Sequence, residues 1–395
     1  MPDSTTTSDA APARVITLFQ LLGIVLLWNS AYKGTRVLNT LYAVNLGATP
    51  FDTGLLLATY GVFPLLLAVA AGRVADRHGA RIPIMAGMIV CTIGVVIPWI
   101  APSMTLLYLG AAVTGLGFIL GQVAIQSLVG SLGSGGDSRT RNFNLYALII
   151  AVADFVGPVC AGLSIDHAGY SFAYLLLGAL SGAGAVTMIL VRDRVPRHRK
   201  PVARAAGSRA SDLVRDPDMR RVLIAGAVVM TSIDLFQLYL PLYGHQAGLS
   251  ATAIGMVLGC AAAATFVCRA LIPVLVKQFG AETTLLYAML LTAAMFALIP
   301  FFSQAVVLGA ICFALGFGMG LGQPLTVIMC YDYSPPGRSG ESLGLRIAIN
   351  NAMHVAVPAA FGGIGSAFGL APVFWVSAAV IAAGGWGSHR RKKQV

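Results

Sequence analysis

Long apolar runs separated by short polar connections fill almost the whole chain. A helix needs about 20 apolar residues to cross the hydrocarbon core of a bilayer. Runs of about that length predict transmembrane helices at 15–43, 52–75, 82–101, 103–130, 142–165, 170–191, 221–243, 251–276, 282–301, 303–330, 342–368 and 370–388. An even number of spans, twelve here, places both termini on one side of the membrane.

Composition supports lipid as the solvent for most of this surface. Hydrophobic residues make up 57% of the 395 and charged residues 10%, whereas soluble domains carry about 25% charged residues. The 45 glycines suit close helix contacts in membranes. Residues 1–14 are polar and lack the features of a signal peptide, so we interpret the first run as a retained span. The six cysteines form no CxxC pair, which gives no sign of a zinc site or a disulfide framework.

The distribution of basic residues predicts the orientation. A net charge of +11 can indicate nucleic-acid binding, but here the charge lies in short loops. Of the 26 lysines and arginines, 22 lie at the termini and in alternate connections, and the other connections have none. This asymmetry predicts that both termini and the basic loops are cytoplasmic. Preference for Arg over Lys and abundant alanine are typical of a GC-rich bacterial genome, so we expect a multi-pass protein of the bacterial inner membrane.

One long internal connection, basic and polar, divides six spans from six. The predicted organisation is a cytoplasmic tail at 1–14, a six-helix bundle at 15–191, a basic cytoplasmic linker at 192–220, a second six-helix bundle at 221–388 and a basic tail at 389–395.

The two predicted bundles are internal repeats. In the second to fourth spans of each half the offset is 201, and in the fifth it is 200. The matches are Gly47, Gly54 and Gly79 with Gly248, Gly255 and Gly280, the run Gly115 to Gln122 with Gly316 to Gln323, and Pro158 and Gly162 with Pro358 and Gly362. Their common order and offset indicate parallel repeats, as in transporters whose halves rock about a central site.

The loop between spans two and three reads Gly72-Arg-Val-Ala-Asp76-Arg77-His-Gly79-Ala-Arg81. It closely resembles the signature of the major facilitator superfamily (MFS), and Pro273 to Gly280 is a degenerate copy in the second half. The resemblance implies an all-α integral membrane protein of twelve transmembrane helices, arranged as two pseudo-symmetric six-helix bundles. It also implies that Gly72, Asp76, Arg77, Gly79 and Arg81 form a cytoplasmic gate that latches the outward-open state.

Span five, from Ala153 to Gly162, is similar to the Gly-Pro motif of bacterial drug–proton antiporters, with Ala153 and Ala161 in place of two glycines. The resemblance favours export. An ordinary helix bend at Pro158 is the alternative. Span four has Ala111 where those antiporters usually have an arginine, which puts a coupling scheme based on that arginine in doubt. The predicted helix-bend motif comprises Gly157, Pro158, Gly162 and Pro358.

Ionisable residues within spans are costly and suggest function. The 201 offset relates Lys33 to Asp234, and we predict an inter-half pair between them or a proton and substrate switch. The 200 offset relates Asp154 to His354. Either could carry a proton, Asp through desolvation and His through its near-neutral pKa. Asp154, Asp234 and His354 are therefore the proton-coupling candidates, with fixed structural pairs as the alternative.

Polar residues on the same spans predict a substrate cavity that is rich in amides and more basic than acidic. Singly, each could instead bond neighbouring helices, and Arg346, near a cytoplasmic end, could meet lipid headgroups. Such a cavity favours a carboxylate-bearing or amphipathic organic solute. The candidates are Asn29, Tyr32, Lys33, Arg36, Gln122, Gln126, Gln237, Tyr239, Gln323, Arg346, Asn350 and Asn351.

These features predict a monomeric secondary transporter that uses alternating access, is driven by protons and exports a drug-like or metabolic compound, possibly an anion. The alternative is a proton symporter that imports an organic anion, and sodium remains open as the ion. The sequence has no P-loop, HExxH or GxSxG, so we expect neither an ATP-driven pump nor an enzyme, and no metal or cofactor. Expected partners are the lipid bilayer, a small-molecule substrate and protons, but not nucleic acid. A sensor built on this fold would need an added soluble domain.

Overall fold

A computed structural model describes residues 10–132, 136–192, 210–334 and 339–388. Within those ranges the chain is helical apart from short connections. The helices are α1 (Ala10–Asn45), α2 (Pro50–His78), α3 (Arg81–Val96), α4 (Met104–Ser131), α5 (Gly136–Leu190), α6 (Ala210–Arg215), α7 (Pro217–Gln246), α8 (Ala251–Phe279), α9 (Ala281–Leu298), α10 (Ala305–Asp332), α11 (Ser339–Phe368) and α12 (Leu370–Ser388). Short 3-10 turns, Ile97–Trp99 and Ile299–Phe301, extend α3 and α9.

The helix count agrees with twelve spans. Within the described ranges, ten helices are long and apolar enough to cross a membrane. One of them, α5, contains spans five and six, joined at Gly169, whose φ is 78°. Helix α1 is not among the ten, and the polar residues Asn29, Tyr32 and Lys33 lower the hydropathy of its second half. With α5 counted twice and α1 included, the predicted all-α, twelve-helix fold is confirmed.

Glycines with positive φ show the repeat directly. The six such residues in the described ranges form three pairs, and no other residue type there has a positive φ. Two of them, Gly79 and Gly280, end α2 and α8 with φ of 78° and 79°. Glycine adopts this conformation without the steric cost of a Cβ atom. The pairs are Gly47 and Gly248, Gly79 and Gly280, and Gly169 and Gly369.

The most extensive contacts between the halves are made by two equivalent helix pairs, α2 with α11 and α5 with α8. A Cβ atom on Gly54 would lie less than 3.0 Å from the Pro358 carbonyl oxygen. The equivalent Gly255 has the same relation to the Pro158 carbonyl oxygen. Both contacts lie towards the ends where α2 and α8 begin, the predicted outer side. Backbone therefore packs directly on backbone there.

Two hydrogen-bonded caps also join the halves at this end. The Asp166 carboxylate accepts hydrogen bonds from the backbone N–H groups of Ala251 (3.0 Å) and Thr252 (2.6 Å), at the start of α8. Its equivalent at the 200 offset, Ser366, accepts one through Oγ from the backbone N–H of Phe51 at 2.8 Å. The structure is thus closed at the predicted outer side.

The Asp166 cap is expected to withstand mild acid. Burial acts to raise the pKa of Asp166, but hydrogen bonds from Thr252, Ser250 and Ala251 outweigh it and hold the pKa below 3.8. Because the folded pKa is lowered, the stabilisation is present above 3.8 and is lost as the pH falls through the lowered value. Spin labels on the exposed residues Ala168 and Met256 should report the same α5–α8 distance at neutral pH and at about pH 5.

The matched variants for this test are Asp166→Asn and Asp52→Asn. Asp166→Asn should lengthen that distance or broaden its distribution at neutral pH. The Asp52 carboxylate accepts hydrogen bonds from Thr49 at the start of its own helix and lies away from the α5–α8 contact, so Asp52→Asn should leave the α5–α8 distance unchanged. An α5–α8 distance that widened in wild type by about pH 5 would contradict the prediction.

Candidate functional site

A cavity of about 540 Å³ lies between the halves. Helices α1, α4 and α5 contribute residues from one half, and α7, α8, α10 and α11 from the other. A second cavity of about 250 Å³ adjoins it, and the two share Arg36, Gln122, Gln126, Ile347, Asn351 and His354. The polar and charged lining of the larger cavity comprises Lys33, Arg36, Gln122, Gln126, Asp154, Gln237, Thr265, Arg269, Gln323, Asn350, Asn351 and His354.

Charged residues at the cavity pair differently from the prediction. Lys33 Nζ lies 2.7 Å from Asp154 Oδ1, within the first half. Asp234 Oδ2 lies 2.7 Å from His354 Nδ1, within the second half, and Asp234 Oδ1 lies 3.8 Å from Arg36 Nη2. The predicted pair of Lys33 with Asp234 is therefore wrong. The two positions are equivalent, but each side chain pairs with the fifth span of its own half.

The direct contact across the pseudo-symmetry axis lies about one turn further along the same helices. Arg36 Nη1 donates a hydrogen bond of 2.8 Å to Gln237 Oε1. These two positions are separated by 201 residues, so they too are equivalent in the repeat. With the Arg36–Asp234 pair, this bond gives α1 and α7 a polar link across the cavity.

The two ion pairs are equivalent in position and reversed in polarity. The first half has a base on α1 and an acid on α5, whereas the second has an acid on α7 and a base on α11. Asp234 is only 1% exposed, and its oxygens accept no conventional hydrogen bond from the described residues beyond these ion-pair contacts. A buried carboxylate is stable only when its charge is compensated. Arg36 and His354 are the groups placed to compensate the charge of Asp234.

A comparison with protein families gives the family of the chain. The family model described as Major Facilitator Superfamily matches residues 21–358. The chain belongs to the Major Facilitator Superfamily. It is therefore a multi-pass membrane transporter of the MFS type and not an enzyme.

Relatives of this MFS chain include two bacterial resistance proteins. The tetracycline resistance protein, class G, of Vibrio anguillarum is 26% identical over 336 residues, covering 82% of this chain and 83% of that protein. The class C protein of Escherichia coli is 25% identical over 315 residues, covering 77% and 78%. The synaptic vesicular amine transporter of Rattus norvegicus is 22% identical over 274 residues, covering 68% and 52%.

Solved structures share the fold at low sequence identity. A POT family transporter in complex with 5-aminolevulinic acid gives a TM-score of 0.80 at 12% identity, covering 94% of this chain and 95% of that one. A nucleoside transporter gives 0.78 at 12% identity, covering 93% and 98%. Identity this low shows the MFS fold alone.

Most of the predicted cavity residues of this MFS transporter do line a cavity. Tyr32 faces the smaller one, where its ring stacks on Phe118 with centroids 3.8 Å apart. Those that line the larger cavity are Lys33, Arg36, Gln122, Gln126, Gln237, Gln323, Asn350 and Asn351.

Three predicted cavity residues do not line either cavity. Asn29 is buried, and its amide donates to the Val25 carbonyl one turn earlier in α1. Tyr239 is buried against Phe374, with ring centroids 6.5 Å apart. Arg346 is 6% exposed and lies inside the second half. Each of the three residues lies on the predicted helix, but its side chain does not face either cavity.

Arg346 does not reach lipid headgroups, the alternative raised for it, and instead ties α11 to α10. Its Nη2 donates to Gln323 Oε1 at 2.6 Å and to Thr326 Oγ1 at 3.0 Å. Arg346→Met would leave the buried Thr326 and the partly buried Gln323 without their donor and should cost about 1–3 kcal/mol of stability. A lower melting temperature in detergent, partly restored in Arg346→Lys, would confirm this. Arg221→Met, at a surface ion pair with Asp218, should change it little.

The signature cluster is only partly described. Gly79 ends α2 with a positive φ, as a tight turn requires, and Arg81 begins α3. Gly72, Asp76 and Arg77 lie in the last turns of α2, and their side chains fall outside the described residues. The cytoplasmic latch stays a prediction.

The residues of the predicted helix-bend motif make close contacts. A Cβ on Gly157 would lie less than 3.0 Å from the Ser30 carbonyl oxygen on α1, and one on Gly162 equally close to the Ala251 carbonyl oxygen on α8. Helices α5 and α11 continue through Pro158 and Pro358. The motif therefore brings α5 against α1 and against the opposite half.

The sequence reasoning left two features of the site without a role. Arg269 was visible as a charge within span eight, but no partner was apparent for it. Phe118 and Tyr60 form an aromatic wall with Tyr32, whose ring meets that of Tyr60 edge-on with centroids 5.9 Å apart. Single aromatic residues in apolar spans give no signal that separates a cavity wall from helix packing.

Proposed function

We propose that this MFS transporter exports a small organic solute, a drug-like compound or a metabolite, in exchange for protons. The observation that carries the proposal is the position of Asp234, a buried carboxylate that pairs with Arg36 of the opposite half and His354 of its own. Export is supported by the relatives named as tetracycline resistance proteins.

The charge of Asp234 connects proton binding to the contact between the halves. Ionised, Asp234 attracts Arg36 across the interface, and its Oδ2 lies 2.7 Å from His354 Nδ1. A proton delivered to the Asp234–His354 pair removes the negative charge and weakens the attraction to Arg36. The contact that Arg36 of α1 makes with α7 can then rearrange, as alternating access requires. Lys33 and Asp154 provide a second ionisable pair, confined to the first half.

A second candidate, proton symport that imports an organic anion, is favoured by the three basic residues that line the cavity, Lys33, Arg36 and Arg269. Both candidates use the same proton site. They differ in the direction in which the solute moves relative to the protons.

The membrane orientation belongs to the same proposal. With both termini and the basic loops in the cytoplasm, the closed end of the cavity, where Asp166 and Ser366 cap the opposite half, faces outward. The structure then represents a state closed to the outside. We also propose that the halves at 15–191 and 221–388 work as a monomer in a bacterial inner membrane. Helix α7 begins at Pro217, inside the proposed 192–220 linker, and much of that linker lies outside the described residues.

The test uses purified protein in liposomes that contain a pH-sensitive dye, challenged with organic acids, amphipathic cations and sugars. Export by antiport predicts that a solute gradient moves protons in the opposite direction, and that Asp234→Asn removes this flux. Proton movement in the same direction as the solute would replace export with the symport candidate. Solute transport without any proton movement would refute both.

A further inference from the structure

Among the described residues, the lysine and arginine side chains that line the cavity outnumber the carboxylates that pair with them by one. Three cationic side chains line it, Lys33, Arg36 and Arg269. Lys33 pairs with Asp154, and Arg36 pairs with Asp234. Arg269 has no carboxylate within ion-pair distance among the described residues. The lysine and the two arginines that line the cavity therefore face two carboxylates, Asp154 and Asp234.

Arg269 is only partly satisfied by hydrogen bonds. Its Nη1 donates to the backbone carbonyl of Ala147 on α5, in the opposite half. Its Nε is buried and has no hydrogen-bond partner in the described part of the chain. The equivalent position in the first half, 201 residues earlier, is Ala68. The second half alone thus places this charge at the cavity.

An uncompensated arginine at membrane depth is unfavourable. Breaking a buried ion pair by removing one partner is likewise costly, because a charge is left without its counter-charge. A guanidinium offers several N–H donors in a planar fork that matches carboxylate and phosphate groups. An anionic group on the solute would supply the missing partner.

We propose that Arg269 is the residue that recognises the substrate's charge, and that the substrate is an amphipathic organic monoanion. The inference rests on the proposed transport function and specifies its substrate class. One negative charge balances the cavity, and a second would exceed it. Apolar residues, among them Ile150, Leu258 and Met319, and the amides of Gln122 and Asn351 line the rest of the space.

An anion bound at Arg269 would also weaken a contact between the halves. The anion competes with the Ala147 carbonyl for the guanidinium, so loading the site weakens one bond between α8 and α5. Substrate charge and inter-half contact are thereby coupled through a single side chain.

The experiment measures binding by thermal shift of the purified full chain in detergent. The probes are benzoate, naphthoate and pyrenebutyrate, each with its primary amide and the corresponding amine, together with a naphthalene dicarboxylate. At least one carboxylate should bind about tenfold or more tightly than its amide, and naphthoate should bind more tightly than the dicarboxylate. Arg269→Gln should abolish the preference for the carboxylate, and Arg269→Lys should keep part of it. Arg221→Gln, at an exposed arginine outside the cavity, is the control.

A second variant covers the possibility that Arg269→Gln does not fold. Thr265 lies one turn before Arg269 on α8 and lines the cavity, so Thr265→Glu would supply an internal counter-charge at the favourable i, i+4 spacing. It should remove the carboxylate preference, whereas Thr265→Gln should not. The inference is overturned if no carboxylate in the series binds more tightly than its amide, or if Arg269→Gln or Thr265→Glu retains the preference.

Proton flux in liposomes separates this inference from the proposed function. A carboxylate preference that depends on Arg269, without any proton movement, would keep the inference and reject proton coupling. Proton flux driven by amphipathic cations, with no carboxylate preference, would reject the inference and keep proton coupling.

Discussion

Asp234→Asn is expected to reduce proton-driven transport to the level of empty liposomes while the protein still folds. Asparagine has nearly the same shape as aspartate, but it has no negative charge to gain or lose. Arg36 keeps its bond to Gln237, so the cavity should survive. Exchange of labelled for unlabelled solute needs no net proton movement and should therefore persist. The measurement compares solute transport under an imposed pH gradient with exchange in the same liposomes.

The control for this loss is Asp332→Asn, at an exposed carboxylate at the end of α10. It should transport like wild type. Asp154→Asn should have a smaller effect than Asp234→Asn, because the Lys33–Asp154 pair does not join the halves and is more exposed. If Asp234→Asn and Asp154→Asn both kept full proton-driven transport, proton coupling at these carboxylates would be wrong.

The position of this site was predictable because the fold repeats itself. The offsets of 201 and 200 that align glycines in the sequence also align the positive-φ turns, the caps at Asp166 and Ser366, and the two ion pairs. Long apolar runs specify a transmembrane helix whatever the neighbouring helices are, so the twelve spans follow from the sequence. The charged residues within spans could be identified from the sequence as well, because each of them interrupts an apolar run.

The pairing partners were not predictable, because equivalence in a repeat does not mean contact. Lys33 and Arg36 lie about one turn apart on α1, yet Lys33 pairs within its own half and Arg36 reaches the equivalent position of the other. The difference is the direction in which each side chain leaves the helix relative to the axis. Tyr239 and Arg346 were misplaced for the same reason: the helix was right, and the face depends on packing against neighbouring helices.

Valine at Gly54 or Gly255 is expected to hold the outer end of the transporter open. At each position a Cβ would lie less than 3.0 Å from a proline carbonyl oxygen of the opposite half, Pro358 for Gly54 and Pro158 for Gly255. Neither backbone can yield without moving a whole helix. Helices that pack through larger side chains are about 8–10 Å apart, so the halves must separate at this end. Transport should fall to background, because alternating access requires the closed state.

The control is a glycine on α11, the helix against which Gly54 packs. Gly363 of α11 has nothing within 4 Å of the position of a Cβ atom, so Gly363→Val should transport normally. Spin labels at Phe51 and Phe368, both exposed at the closed end, should report a longer α2–α11 distance in Gly54→Val than in Gly363→Val. The protein should still fold, because the strain lies between the halves and moving them apart relieves it. A Gly54→Val variant with normal transport and an unchanged distance would show that close contact between α2 and α11 is not what closes the outer side.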